Sequence, residues 1–256
     1  EDAADYIIES LPLAVNVLML ENESLTLRPD QYRSLYTRFG EEREVLDKLL
    51  AAPGLPLDIR IYHARLAASR MQQLIIERGW IPANDAEELI AEAEENAVLD
   101  LLTRATAEQR AEVVTFLLDA ELLTPSIIVR AACVGAMDVV AEAMACLAGM
   151  SLKRTHDAMF VKSAGSFRSL HAKSGLPQSC YWTLQAACDV ARGERQDKIR
   201  LTPDDFGRRL IEVLMTRYDS LPMSERPRQL DVVSRFAADR TRLIARRLKA
   251  DLQRAA

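Results

Sequence analysis

The sequence predicts an all-α protein, built as stacked helical hairpins. Three observations carry that expectation. Glycine and proline are scarce, 9 and 10 in 256 residues, and they fall between apolar stretches. The stretches themselves are rich in Ala, Leu, Glu and Arg, with apolar residues at helical spacing. No segment alternates apolar and polar residues with a β-branched bias, so no strand is expected.

The elements follow in order. Helical periodicity predicts helices over 4–20 and 29–38, the second closed by Gly40, and then 41–52. A Leu-Pro opener at Pro56 starts a long helix, 56–78, and Gly79 ends it. Residues 82–103 carry the acidic run "DAEELIAEAEEN", in which Leu89, Ile90, Ala93, Ala97 and Val98 are expected inward and most acids outward. "TAEQ", Thr106–Gln109, is a capping box that opens 107–120.

"TPSI" opens 125–134 with Thr124 as cap and Pro125 at the first helical position, and Gly135 closes it. Asp138 is expected to cap 137–148, which stops at Gly149. Helices over 151–161 and 165–173 follow, and Gly175 ends the latter. Pro177 opens 177–191, with Gly193 as its stop. "TPDDF" opens 203–218, and Asp204 and Asp205 suit the positive end of the helix dipole. The last expected helix, 227–253, is amphipathic and arginine-rich.

Connections of two to six residues fold consecutive helices back on each other. The openers at Pro56, Pro125 and Pro177 share a shape but are unevenly spaced, which suggests degenerate helical repeats of the HEAT kind. Residues 1–192 are expected as a helical-repeat domain and 193–256 as a helical extension packed on it, the two possible as one continuous domain.

Composition narrows the function classes. Apolar residues at 49% and charged residues at 28% are those of a globular chain. No apolar run approaches the ~18 residues of a membrane span, so no membrane is expected. The opening "EDAADYIIES" is acidic, unlike the basic start of a signal peptide. The four cysteines, Cys133, Cys146, Cys180 and Cys188, form no CxxC and sit in apolar helical contexts. Free thiols in a reducing cytoplasm are expected. Net charge is −5, but residues 201–256 hold twelve Arg/Lys against eight Asp/Glu. That bias is too mild to make nucleic acid the expected partner.

The stretches "EVLDKLLAAPGLPLDI", "ELLTPSIIVRAACVGAMDVVAEAMACLAGM" and "FRSLHAKSGLPQS", in that order, resemble the bacterial family called domain of unknown function 2336. The resemblance covers Val45 to Arg192 and is best in "LTPSIIVRAACVGAMD". It implies an all-helical, HEAT-like, cytoplasmic protein of alphaproteobacterial type with no established activity. It transfers no catalytic residue. The arginine-rich segment after Gly193 departs from the family pattern.

Catalytic sets are hard to assemble from these residues. His156-Asp157 lacks a second histidine at ligand spacing, with His63 far upstream and His171 downstream. There is no HExxH, GxSxG, Walker loop or GxGxxG, and no cofactor or metal is expected. Two features stand out. Arg130 interrupts an apolar helix and can pair with Asp138 or Glu142 across the joint, or contact an anion or partner. Arg235, Arg242 and Arg246 flank the apolar stripe of the last helix, which can serve a protein partner or a homodimer.

The expected function is a non-catalytic, protein-binding or regulatory scaffold. The alternatives are a sensor or enzyme with an inter-helix pocket near Trp80, Tyr181, Trp182, His156 and Arg130, and nucleic-acid binding through the C-terminal arginines.

Overall fold

The computed structural model describes residues 3–22, 24–161 and 164–218, together with Met223, Arg226, Pro227 and Ser234. Among these residues it is all-α, with thirteen α-helices and no strand. Of the expected helix 227–253 only Pro227 and Ser234 are described, and Arg235, Arg242 and Arg246 lie outside the described residues. No helix is long and apolar enough to cross a membrane. The chain divides into two compact units, Glu1–Leu101 and Leu102–Ala256.

The first unit begins with α1 (Ala3–Ser10), α2 (Leu13–Glu21), α3 (Pro29–Phe39) and α4 (Arg43–Ala51). The single helix expected over 4–20 is two helices. Pro12 has no N–H to continue the ladder and stands extended at ψ 166°. The fully buried Asn16 reaches back across the break: its Nδ2 donates to the oxygens of Ile7, Leu11 and Pro12 at 3.2, 3.1 and 3.2 Å. Arg38 of α3 donates to the oxygen of Ile8. The four helices enclose Ile8, Leu35, Val45, Leu49 and Ile59.

The second half of this unit is a long hairpin, α5 (Leu57–Glu77) and α6 (Ala83–Arg104). Arg60, one turn into α5, fixes its base. Its guanidinium donates to the oxygens of Leu55, Leu50 and Ala52 at 3.3, 3.2 and 2.5 Å, closing the carbonyl end of α4. Arg33 of α3 pairs with Asp58 at 2.8 Å.

The second unit holds α7 (Ala107–Asp119), α8 (Pro125–Cys133), α9 (Met137–Ala148), α10 (Leu152–His156), α11 (Ala164–Ser174), α12 (Gln178–Asp197) and α13 (Pro203–Arg217). The capping signals work as read. Thr106 and Gln109 form the reciprocal box, Thr124 Oγ1 accepts from the N–H of Ile127 at 3.2 Å, and Thr202 Oγ1 accepts from that of Asp205 at 3.1 Å. Helix α9 is the centre. It is buried on nearly every side because α7, α8, α10, α11 and α12 all pack on it. Its many alanines let those neighbours approach closely. Helices α12 and α13 return to α8 and close the bundle.

Several expectations are corrected. Asp138 does not cap α9; Ala136 holds that position and Asp138 sits in the first turn. Gly79, Gly135, Gly149 and Gly175 take the positive φ of a helix stop, but Gly40 ends α3 at φ −66°. Gly193 stops nothing: α12 runs through it to Asp197. The reason is tertiary. Residues 157–161 form a π-helical turn after α10, and Arg192 Nε donates to the oxygen of Met159 at 3.0 Å. Arg195 places its guanidinium 3.8 Å above the Phe160 ring. Both contacts require the last turn of α12 to stay helical.

Candidate functional site

The side chains singled out at the α8–α9 joint sit in the last turn of α8 and the first turn of α9. Arg130 is half-buried in the last turn of α8 and engaged with its surroundings. The cation at Asp138 is Arg110 of α7, with Nη2 4.0 Å from Oδ2. One turn further along α9, Glu142 is half-buried. Burial pushes its carboxyl above the usual range, and Asp138 adds to that, while Arg110 and His156 oppose it. Arg110 was not singled out in the sequence, because nothing in "TAEQRAE" marks one arginine over another.

The aromatic residues of the second unit sit mainly in its packing. His171, 3% exposed, stands edge-on to Tyr181 at 5.2 Å, and Tyr181 also packs on Phe167 and Trp182. His156 stands edge-on to Phe160. The four cysteines are free thiols, two of them buried, and burial pushes the Cys188 thiol up to about 12. A thiol so held is not a nucleophile. No group of three metal-ligating side chains occurs among the described residues. In the first unit, a shallow depression lined by Asp5, Glu9, Arg28, Asp30 and Gln31 is already internally matched. Arg28 donates to both Asp5 and Asp30 and holds the Asp30 carboxyl below the usual range.

The α5–α6 hairpin is different. Leu89, Ala93 and Ala97, all expected inward, are exposed, and Leu89 is 49% accessible. On α5, Ala67 is exposed, as are Met71 at 49% and Leu74 at 39%. The two helices are joined by the five residues Arg78–Pro82, with Gly79 at φ 62° and Trp80 65% exposed. Arg65 on α5 reaches Glu94 on α6 at 3.9 Å. The contact brings the two helices together near their mid-lengths, with Met71 within about one residue of the level of Leu89, and Ala67 of Ala93.

The more buried positions are Ala64, Ala68 and Ile75 on α5, half-buried, and Ala86 and Ile90 on α6, buried. At ~100° per residue, Ala67, Met71 and Leu74 fall on the flank just before those α5 positions. Leu89 and Ala93 fall on the same flank of α6. Antiparallel helices bring equivalent flanks to one side, so these five residues form a single apolar face. The helices differ in charge. α5 has three arginines against two acids, whereas α6 has seven acids against one arginine. The sequence does carry a signal for this face: the apolar residues of 57–76 occupy more than one stripe, more than a single neighbour can cover.

A family model described as "Uncharacterised protein conserved in bacteria (DUF2336)" matches residues 1–224. No curated protein and no solved structure matches the chain.

Proposed function

The chain belongs to the bacterial DUF2336 family, and from that premise we propose that it is a non-catalytic helical module that binds protein through the exposed face of α5 and α6. One observation carries the reading: Met71, Leu74 and Leu89, with Ala67 and Ala93, lie exposed on two helices whose Ala86 and Ile90 are buried. Soluble helices bury such a stripe, and an apolar face left open with a charged rim is how helical surfaces take up partners. The chemistry of the second unit supports the non-catalytic part, since its buried thiols and aromatic rings serve packing. We read the short connections as stacked hairpins of the HEAT kind. The four free cysteines agree with a reducing, cytoplasmic setting.

Site-specific photocrosslinking tests the reading in cells. A photoactivatable phenylalanine replacing Met71 or Leu89 is expected to give protein adducts. The same residue replacing Lys173, exposed on α11, is expected to give none. Equal yields at all three positions, or no adduct at 71 and 89, would overturn the assignment of this face.

A further inference from the structure

We propose that Tyr36 of α3, with Tyr62, His63 and Arg70 of α5, forms a binding site for the phosphoryl group of a phosphate monoester. The site lies within the first unit, and it stands independently of the protein-binding reading of the α5–α6 face.

Ring contacts fix the place. Tyr36 stands edge-on to Tyr62, with centroids 6.0 Å apart and planes at 86°. It also stands edge-on to His63, at 6.4 Å and 84°. The Arg33–Asp58 pair joins the same two helices at 2.8 Å. Edge-to-face packing orients the rings and the hydroxyls they carry. Arg70 follows His63 by seven residues, which at ~100° each return it to within about 20° of the same side of α5. Helical side chains lean toward the N-terminus, a lean that carries its guanidinium back toward His63 and Tyr36. The Tyr36 phenol registers both neighbours: burial raises its pKa, Tyr62 adds to that, and Arg70 opposes it.

These donors have no acceptor in the fold. Among the described residues, none of the four side chains makes a hydrogen bond or an ion pair. The other arginines nearby are engaged: Arg33 on Asp58, Arg38 on the oxygen of Ile8, Arg60 on the carbonyl end of α4, and Arg65 on Glu94. No acid lies on α5 between Asp58 and Glu77, and Glu77 accepts from Gln73 at 2.8 Å. Arg70 is exposed, Tyr62 is 57% exposed and Tyr36 is half-buried, so the cluster opens to solvent. Of His63, Nδ1 is buried without a partner, which leaves Nε2 to meet a ligand. A guanidinium is always charged, and its paired N–H groups match two phosphoryl oxygens. The phenol O–H groups and the imidazole answer the third. A carboxylate has two oxygens and would leave donors unanswered. The exposed Tyr62 ring offers an apolar wall for the organic part of the ester.

Titration of the full chain with phenyl phosphate, followed by amide chemical shifts, tests the site. Saturable shifts at residues 36, 62, 63 and 70 are expected, with a Kd on the order of 0.1–1 mM. Arg70→Gln, at an exposed position, and Tyr36→Phe, which keeps both ring pairs, are each expected to weaken binding ~10-fold or more with native helix content and melting temperature. Inorganic phosphate is expected to bind several-fold more weakly, for want of the group that meets Tyr62. A short phosphotyrosyl peptide separates the two sources of such an ester. Tighter binding of the peptide than of phenyl phosphate places the ester on a protein, equal binding places it on a small molecule, and both support the site. No shift at about 10 mM phenyl phosphate, or unchanged affinity in folded Arg70→Gln and Tyr36→Phe, would overturn the proposal. Equal binding of benzoate or of inorganic phosphate would overturn the assignment to a phosphate monoester.

Discussion

Asn16 shows how one side chain makes a break in a helix tolerable. Pro12 interrupts the ladder, and the Asn16 amide donates across the break to the carbonyls of Ile7, Leu11 and Pro12, the first and last of which also accept from backbone N–H groups. Asn16→Ala removes all of those bonds at once. A loss of about 2–3 kcal/mol is expected in denaturant unfolding, and a change below ~0.5 kcal/mol would show that the carbonyls are satisfied otherwise. His171 gives a pH signature. Burial lowers its pKa from the ordinary value near 6.5. The unfolded chain therefore binds a proton that the folded chain refuses. The contribution is fully present above the ordinary value and is lost as pH falls below it toward the folded value. Unfolding free energy measured between pH 7.5 and 5.5 is expected to drop more for the native chain than for His171→Gln. Parallel curves would remove His171 from that role. Neither role was legible beforehand, since an asparagine in "PLAVNV" and a histidine in "SLHAKS" look like surface residues until their neighbours are placed.

Helix joints were the most legible elements. Thr106, Thr124 and Thr202 cap the helices they were expected to cap, because a cap is set by residues within one turn of each other. The α8–α9 joint needs more than local chemistry. Gly135 stands at φ 78°, and a Cβ there would lie 2.8 Å from the ring of Phe206 on α13. Gly135→Ala combines the left-handed penalty with an overlap against a buried ring. The expected cost is about 2–4 kcal/mol, read as a lowered melting temperature. Gly79→Ala, with a similar φ but open space around it, is expected to cost only about 1 kcal/mol. Equal effects at the two positions would mean that Phe206 does not press on the joint. Gly193 is the opposite lesson. It looks like a stop, yet Arg192 and Arg195 hold its helix against the π-helical turn, and no pattern within α12 announces those contacts.

At the scale of the whole molecule, the division between the two units falls inside α6, a continuous helix with no glycine or proline to mark it. All four cysteines lie in the second unit, so thiol labelling reports on that unit by itself. Cys133 and Cys188 are buried, and Cys146 and Cys180 are half-buried. Under native conditions Cys188 is expected to react with an alkylating reagent ~100-fold more slowly than Cys146, and to be labelled fully only in denaturant. Comparable native rates would show that the packing around α9 and α12 opens readily. The sequence by itself determined the all-α class, most helix boundaries among the described residues, the threonine caps and the family, because propensity, periodicity and capping act over a few residues. Only the tertiary structure decided that Arg110 is the cation at Asp138, that α12 passes through Gly193, and that Leu89 and Met71 are left uncovered. Periodicity states that a helix has an apolar face. Whether a neighbour lies over that face depends on contacts between residues far apart in the chain, and in α5 and α6 the fold supplies too few of them to cover it.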